Sequence, residues 1–444
     1  MRFALDVLYL VALALLSPWL LWRGLRTGRY RRYLRMKLLG GVPTLPPGAP
    51  VVWFHGVSVG EVHLLTTVVD AYRRRYPSHR VVVSSTTDTG LAEARARFAN
   101  CVVVPFPLDF SWAVGRAITR LKPSLIVLAE SELWPNFLAA AARRDVPVAV
   151  INGRLSPRSY ARLSRVAGLA RWLLYRHVKL LAVQSDDYAA RLRLLGVDAA
   201  KVVVTGSVKY DGAAADRDTP KARELRRLLA LPDGVPVLVA GSTHAPEESL
   251  LLGVFRRLRE RFPTLRLVLV PRHPDRFEAV AALVAASGFD WQRRSRIVTP
   301  LGVAPAVVLL DTIGELGAAW SLATVGFTGG SLDGQRGGQS MIEPAGYGVP
   351  VAFGPHVWNF RDAARSLVEV GGAVTVRDAA ELVGVFERWL GDEAMRLAAG
   401  AAARAFVVAQ QGATARTLDA LESLFPGERR CVSPPVQPGM GTTT

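Results

Sequence analysis

The stretch "VVWFHGVSVGEV", residues 51–62, contains the first complete strand, loop and helix entrance of the chain. Its first four residues are apolar, as expected for a strand that is buried on both faces of a parallel sheet. The following loop contains two glycines, which let its backbone approach a substrate closely, and it places Glu61 at the start of a helix. A carboxylate there can complement the helix dipole, or it can act as a catalytic base. The stretch therefore predicts a βα unit with a candidate functional group at its turn.

The same unit recurs along the chain. Further apolar runs that end in polar or glycine residues span 80–86, 102–107, 125–130, 146–153, 180–185 and 201–207. A small and polar segment at 211–220 follows, and it is the best candidate for a linker. A second series of runs spans 236–244, 266–274, 307–312, 324–330, 349–355 and 373–376, and an alanine-rich helical region covers 379–425. This alternation predicts an α/β protein with two doubly wound domains.

These boundaries divide the chain into four parts. They are an N-terminal anchor with a basic flank (1–37), a first Rossmann-like domain (38–212), a second Rossmann-like domain with terminal helices (213–425) and a tail expected to be disordered (426–444). In doubly wound sheets, ligands bind at the carboxyl ends of the strands. The polar residues at those ends are therefore the candidate site residues.

The N-terminal segment has the features of a membrane anchor. Residues 3–22 are apolar except for Asp6, Ser17 and Pro18, and a helix of this length can cross a bilayer. The flank at 23–37 contains seven Arg and Lys residues and no acid, so the positive-inside rule places the bulk of the chain in the cytoplasm. A cleaved signal peptide is disfavoured, because its basic region would precede the apolar core. We expect an uncleaved anchor; Asp6 and Pro18 leave a shallow, interfacial helix as the alternative.

Charge and cysteine content limit the possible partners. A formal net charge of +18 over 444 residues requires nucleic acid, an anionic membrane or a negatively charged substrate. Between Asp145 and Asp186 the chain carries seven Arg and Lys residues and no acid, which favours a surface for anionic lipid head groups or a phosphorylated acceptor. The two cysteines, Cys101 and Cys431, indicate a reducing compartment and argue against a disulfide framework or a zinc site.

The strand ends of the second domain predict a nucleotide pocket. Ser242, Thr243 and His244 lie where a strand turns into a helix, and the N–H groups and hydroxyls of such a turn can bind phosphate. The same residues are compatible with a capping box, formed by Ser242 or Thr243 with Glu247 or Glu248.

Two further strand ends of this domain extend the pocket. Arg272 is placed for bidentate phosphate binding. Glu343 lies in the segment 329–350, which has seven glycines, and its carboxylate can accept hydrogen bonds from ribose hydroxyls. The acidic residues are too few for obvious metal chelation.

The strand ends of the first domain carry carboxylates and cations instead. They are Glu61, Glu130, Glu132, Asn152, Arg154 and, at the end of this domain, Lys209.

The strand ends and the loops after them contain a series of motifs, which in chain order are "HGVSVGE" (55–61), "ESELWPN" (130–136), "NGRLSPRS" (152–159), "GSVKYD" (206–211), "AGSTHAPEE" (240–248), "PRHPDRF" (271–277), "DTIGEL" (311–316), "GGQSMIEPA" (337–345) and "GPHVWNFRD" (354–362). Taken in this order, they resemble those of the 3-deoxy-D-manno-octulosonic acid (Kdo) transferases of lipopolysaccharide synthesis. The resemblance spans residues 50–375, and the set in this order is highly specific.

The resemblance implies the GT-B fold, in which two Rossmann-like domains face a cleft, with the acceptor side N-terminal and the nucleotide side C-terminal. It implies transfer of Kdo from CMP-Kdo to a lipid A precursor (lipid IVA) at the cytoplasmic face of the inner membrane, with no cofactor and no metal. Both substrates are anionic, which accounts for the net charge without nucleic acid.

The resemblance also implies residue roles. Glu61 is expected to be the general base, in which case the helix dipole that keeps it ionised also serves catalysis. Glu130 and Lys209 are expected to stabilise the transition state. The donor site is expected to comprise Ser242, Thr243, His244, Pro271, Arg272, Ile313, Gly314, Glu315, Ser340, Met341, Ile342 and Glu343, and Glu132, Asn152 and Arg154 are expected to support the acceptor side.

The sequence departs from the family pattern at three positions. Gln339 and Ser340 stand where the family usually has His-Asn, and Ser207 stands where it usually has Asn. A serine hydroxyl offers fewer hydrogen bonds than an amide, so the departure bears on the role of Ser340.

Two other functions are compatible with parts of the sequence. A GT-B transferase that uses a UDP-sugar and another lipid acceptor would share the fold and the anchor, but would not be expected to combine "ESELWPN" with "PRHPDRF". A membrane-tethered nucleic-acid-binding protein would share the charge, but should carry aromatic stacking platforms or a known reading motif.

Overall fold

The computed structural model describes residues 2–27, 33–130, 132–214 and 216–425. The chain forms two units, each built around a parallel β-sheet with helices on its faces. Unit 1 consists of Met1–Val208 and the chain from Gly412 onward, and unit 2 consists of Lys209–Gln411. The predicted pair of α/β domains is confirmed.

Unit 1 contains the seven strands that the apolar runs predicted. They are β1 (Val51–His55), β2 (Arg80–Ser85), β3 (Val102–Pro105), β4 (Leu125–Ala129), β5 (Val148–Gly153), β6 (Leu180–Val183) and β7 (Val202–Val204), in the order β3-β2-β1-β4-β5-β6-β7. All are paired in parallel. Its first nine helices are α1 (Arg2–Thr27), α2 (Leu34–Leu39), α3 (Val59–Arg75), α4 (Asp88–Arg97), α5 (Ser111–Leu121), α6 (Pro135–Ala142), α7 (Pro157–Ser164), α8 (Ala167–Leu173) and α9 (Asp186–Leu194).

The central strands of unit 1 are apolar throughout because both faces of the sheet are covered. Successive side chains of a strand point to opposite faces. Trp53 and Ile126 accordingly pack in one apolar layer, while Phe54 and Val127 pack in the other. This arrangement explains why the runs lack the alternation of a half-exposed strand.

Unit 2 repeats the architecture. Its strands are β8 (Val237–Thr243), β9 (Arg266–Pro271), β10 (Trp291–Arg293), β11 (Val307–Leu309), β12 (Val325–Thr328), β13 (Val351–Phe353) and β14 (Ala373–Thr375), in the order β10-β11-β9-β8-β12-β13-β14. Its helices are α10 (Pro220–Leu228), α11 (Glu247–Arg261), α12 (Phe277–Ala286), α13 (Leu316–Leu322), α14 (Ile342–Gly346), α15 (Arg361–Glu369), α16 (Ala379–Gly391) and α17 (Glu393–Gln410). The strand β10 was not predicted, because it is a three-residue edge strand with a polar and a charged residue.

The last helix, α18 (Ala413–Glu422), packs in unit 1, and its assignment to the second domain was wrong. Ala413, Leu418 and Leu421 are buried in the same apolar layer as the helix α3. Arg75 of α3 also pairs with the α18 carboxylates. An alanine-rich pattern predicts such a helix but not which core it completes.

The segment predicted as a linker, 211–220, lies at the start of unit 2, where Ala213 is buried in that unit's core. The predicted disordered tail, 426–444, lies outside the described residues.

The predicted N-terminal helix is present as α1, but the prediction that it crosses a membrane is not supported. None of the described helices combines the length and the apolar character that a bilayer span needs. On the part of α1 whose side chains are described, Asp6 is buried against unit 1, whereas Leu8, Val11 and Leu15 are exposed. The polar side of the helix therefore faces the protein and an apolar side faces outward.

Candidate active site

The loop after β1 places Glu61 at the start of α3. Ser58 is the N-cap residue, and its Oγ accepts a hydrogen bond from the backbone N–H of Glu61. A Cβ atom added at Gly56 would lie 3.0 Å from the Glu61 Cβ and 3.1 Å from Leu65, so a larger residue would crowd the start of the helix.

The Glu61 carboxylate is held by hydrogen bonds but is partly removed from solvent. Its Oε2 accepts from the Val57 N–H at 2.8 Å, and its Oε1 accepts from the Ser58 hydroxyl at 3.2 Å. Burial nevertheless raises the pKa of Glu61 to about 7, and the charges of Glu130 and Glu132 raise it further against these bonds. Desolvation therefore outweighs the hydrogen bonds at the helix entrance that favour the ionised form. The group exchanges a proton near neutral pH.

Glu130 lies at the end of β4 in a backbone conformation that is rare for its residue type. Its φ is 59°, its side chain is buried, and its Oε2 is 2.8 Å from a guanidinium nitrogen of Arg154. Burial also raises the pKa of Glu132, and the charge of Glu130 adds to this shift. Left-handed backbone at a non-glycine residue is costly and is concentrated at functional sites. The structure thus brings three predicted carboxylates together and pairs one of them with Arg154.

Asn152, at the end of β5, supports the segment that precedes Lys209. Its φ is 53° and its Oδ1 accepts from the Val208 N–H at 3.1 Å. Within the described part of the chain, its buried Nδ2 has no hydrogen-bond partner. Lys209 itself begins unit 2, with its ammonium 5.6 Å from the centre of the Phe360 ring. The three predicted catalytic residues are therefore divided between the two units.

In unit 2, a single carboxylate fixes the glycine-rich loop (329–341) between β12 and α14. The Glu247 carboxylate accepts hydrogen bonds from the backbone N–H groups of His244 (3.0 Å), Gly330 (2.7 Å), Ser331 (3.0 Å) and Leu332 (3.3 Å). The residue is buried at 2% exposure. Sequence reasoning missed this role, and it also means that the His244 N–H is not available to a phosphate.

The predicted capping box at this turn was wrong. The N-cap of α11 is Pro246, whose side chain offers no acceptor. Glu248 is buried and pairs with both terminal nitrogens of Arg276 at 2.5 and 2.9 Å. A Cβ added at Gly329 would lie 2.5 Å from the Thr243 Cα, so the two strand ends approach each other at a distance that only glycine allows.

His244 lies against a cationic and an amide side chain of the glycine-rich loop. Its ring nitrogens are 3.2 Å from a guanidinium nitrogen of Arg336 and 3.4 Å from the Gln339 amide. Burial and then the charge of Arg336 lower the pKa of His244 to about 4, so the imidazole is neutral near pH 7. Gln339, one of the departures from the family pattern, thus contacts a predicted donor-site residue.

Arg272 and Glu343 are brought into electrostatic contact. Pro271 ends β9, and the Arg272 N–H donates to the Thr243 carbonyl at 3.0 Å while its side chain is exposed. Glu343 lies in the first turn of α14; burial raises its pKa, and the positive charge of Arg272 opposes that shift. A cation beside a buried carboxylate at strand ends suits a nucleotide phosphate and a ribose.

The remaining predicted donor residues differ in how they could contact a ligand. Met341 and Ile342 have side chains in the core, so only their backbone groups can serve, and Ser340 precedes them half-buried. Ile313 is 84% exposed. Next to Gly314, the Glu315 carboxylate is already bonded to Arg294 at 2.9 Å and to Thr312.

Comparison with known proteins matches the chain to one family. Residues 26–212 match the family model described as 3-deoxy-D-manno-octulosonic-acid transferase (kdotransferase). The 3-deoxy-D-manno-octulosonic acid transferase of Haemophilus influenzae is 32% identical over 95% of this chain and 98% of its own. That of Bordetella pertussis is 36% identical over 93% of this chain and 98% of its own.

The structural comparison agrees at the level of the fold. UDP-GlcNAc 2-epimerase from Neisseria meningitidis, solved with UDP-GlcNAc bound, has a TM-score of 0.56 and 12% identity, and the match covers 85% of this chain and all of that chain (100%). Similarity at this identity shows the fold alone, which is that of two α/β domains with parallel sheets, as in GT-B-like proteins. Because similarity to the two transferases extends over nearly the whole chain, the chain belongs to the family of 3-deoxy-D-manno-octulosonic acid transferases, which are glycosyltransferases.

Proposed function

We propose that the protein is an inverting glycosyltransferase that moves Kdo from CMP-Kdo to a lipid A precursor (lipid IVA), with Glu61 as the general base. Membership of the family supports transfer of Kdo. The observation that carries the base assignment is the Glu61 carboxylate itself. It is oriented by Val57 and Ser58, and burial brings its pKa to about 7, where a base both accepts and releases protons readily.

The reaction is a single displacement at the anomeric carbon of Kdo. The acceptor hydroxyl gives its proton to Glu61 while its oxygen forms a bond to that carbon. The bond from the carbon to the CMP phosphate oxygen breaks, and CMP leaves with the electron pair. Attack opposite the leaving group inverts the configuration.

The other groups balance the charges that develop. We assign to Glu130 the stabilisation of the positive charge at the anomeric centre, and to Lys209 and Arg272 that of the negative charge on departing CMP. The remaining donor contacts are assigned to Ser242–His244, to Pro271, to Ile313–Glu315 and to the Ser340–Glu343 segment. We propose that CMP-Kdo is the only co-substrate, with no metal or other cofactor.

We further propose that the enzyme works at the cytoplasmic face of the inner membrane, on an anionic lipid surface. The exposed apolar side chains of α1, the basic flank that follows it and the cationic stretch between Asp145 and Asp186 support this location. A lipid acceptor is then presented at the same surface.

The test is transfer of labelled Kdo from CMP-Kdo to purified lipid IVA. Wild-type protein should form the product, and Glu61→Gln should reduce kcat by about 10²–10⁴-fold, since an amide cannot accept the proton. The amide can still accept from Val57, so CMP binding and the unfolding temperature should persist.

The matched control is Glu93→Gln, which changes a glutamate of α4 that pairs with His63 and Arg97. It should retain wild-type transfer. Substantial activity in Glu61→Gln would refute the base assignment. Turnover of a UDP-sugar in place of CMP-Kdo would refute the proposal that CMP-Kdo is the donor.

A further inference from the structure

The only acidic residue upstream of Glu61, Asp6, has a structural role that its apolar surroundings do not predict. The Asp6 side chain is 4% exposed. Its Oδ1 accepts from the Ser111 N–H at 2.8 Å and from the Asn136 amide at 3.1 Å, and its Oδ2 accepts from the Ser111 hydroxyl at 2.5 Å. A buried carboxylate is tolerated only with such compensation, so these bonds fix the position of α1 on unit 1.

A second carboxylate links α1 to the start of α6. The N-cap position of α6 is Trp134, but its first N–H groups are bonded by Asp109, which accepts from Asn136 at 3.1 Å and from Phe137 at 2.8 Å. The Tyr9 hydroxyl of α1 donates to the same Asp109 carboxylate at 3.0 Å. Of the α1 side chains, Asp6 thus contacts Asn136 at this helix terminus, and Tyr9 contacts Asp109, which accepts from the N–H groups of the terminus. We call Asp6, Tyr9, Asp109 and Asn136 the α1 latch.

The α1 latch lies at one end of the loop that carries two carboxylates of the candidate site. Its described residues are Glu130, at the end of β4, and 132–134, before α6. Its first end is fixed by the central strand β4, which pairs with β1 and β5. Its second end is fixed by the latch. Glu132 lies between these two ends, and its position depends on both.

We propose that α1 is a positioning element of the active site, in which Asp6 and Tyr9 hold the start of α6 and thereby keep Glu132 near Glu61. The inference rests on the proposed function of Glu61. It gives the N-terminal helix a role in catalysis that is separate from any contact with a membrane, and it makes Asp6 and Tyr9 positioning residues rather than catalytic ones.

The variants Asp6→Ala and Tyr9→Phe test the proposal, with Ser17→Ala as the matched control. Ser17 also lies on α1, and its hydroxyl donates within that helix, to the Ala14 carbonyl. Asp6→Ala removes three hydrogen bonds and should lower kcat about tenfold or more, with the KM for CMP-Kdo unchanged. Tyr9→Phe should have a smaller effect in the same direction, and Ser17→Ala none.

Two further measurements separate positioning from a general loss of structure. Asp6→Asn keeps an acceptor for Ser111 and Asn136 and should recover most of kcat. In Asp6→Ala, displacement of Glu132 should also move the acidic limb of the kcat/KM profile to lower pH, because its charge raises the pKa of Glu61. A variant that is merely less stable would keep the wild-type limb.

Hydrogen exchange supplies a readout that does not depend on transfer. The Asn136 and Phe137 amides should exchange faster in folded Asp6→Ala than in wild type. The proposal is overturned if this variant keeps the wild-type kcat, or if its kcat falls while the acidic limb of the kcat/KM profile stays at the wild-type pH. If Asp6→Ala does not fold, Tyr9→Phe is judged by the same two criteria. If the wild-type protein transfers no Kdo, the proposed function fails, and exchange still shows whether the latch holds α6.

Discussion

Glu61 combines a helix entrance with a buried environment, and the two have opposite effects on its charge. The hydrogen bonds from Val57 and Ser58 favour the carboxylate, while burial and two neighbouring carboxylates disfavour it. The balance brings the pKa to about 7, above its ordinary value of 4.5. The sequence shows which residue stands at the turn, but its burial and the nearby charges of Glu130 and Glu132 arise only in the folded chain.

The pH dependence of transfer follows from this pKa. Protonated Glu61 cannot act as a base, so kcat/KM should fall as the pH drops below about 7 and rise to a plateau above it. Glu132→Gln removes a neighbouring negative charge and should move this acidic limb to lower pH. A kcat/KM profile that stays flat down to pH 4.5, the ordinary value for a glutamate, would show that burial does not govern the base.

At the scale of elements, the strands could be predicted from the sequence, but the side chains that hold the loops in place could not. Continuous apolar runs identified thirteen of the fourteen strands in the described residues, because burial on both faces leaves a local signature. The strand β10 was missed because it is short and polar. Glu247 was misassigned for another reason. Its four N–H partners include three from a loop more than 80 residues away, and no local pattern encodes such a contact.

Loss of the Glu247 carboxylate should disrupt the glycine-rich loop of unit 2. Glu247→Ala leaves buried N–H groups without an acceptor, which should lower the free energy of unfolding by about 2–4 kcal/mol. The KM for CMP-Kdo should rise, since the loop leads to the Ser340–Glu343 segment, and Glu247→Gln should have smaller effects. The control is Glu224→Ala on the exposed surface of α10, where the carboxylate pairs with Arg227. Equal denaturation midpoints for the two alanine variants would contradict this role.

At the scale of the whole chain, the number of domains followed from length and repetition, whereas the path of the chain between them did not. The C-terminal helix α18 returns to unit 1, where Leu418 and Leu421 complete a core that the N-terminal half leaves open. Similarly, an apolar segment with a basic flank predicts contact with a membrane, but only the structure shows Asp6 turned inward. Deleting residues 1–22 would therefore remove the α1 latch along with the apolar surface, so point substitutions are the sharper test of membrane contact.

The exposed side of α1 should determine how strongly the protein binds lipid. Replacing Leu8, Val11 and Leu15 with serine leaves the latch intact but removes apolar side chains worth about 1 kcal/mol each at an interface, so partitioning onto vesicles containing anionic lipid should fall about tenfold or more. The matched control replaces three exposed apolar residues elsewhere, Leu194, Val298 and Val303. Co-sedimentation measures both variants against wild type. If the two triple variants bind vesicles equally well, α1 is not the lipid contact, and its apolar side requires another explanation.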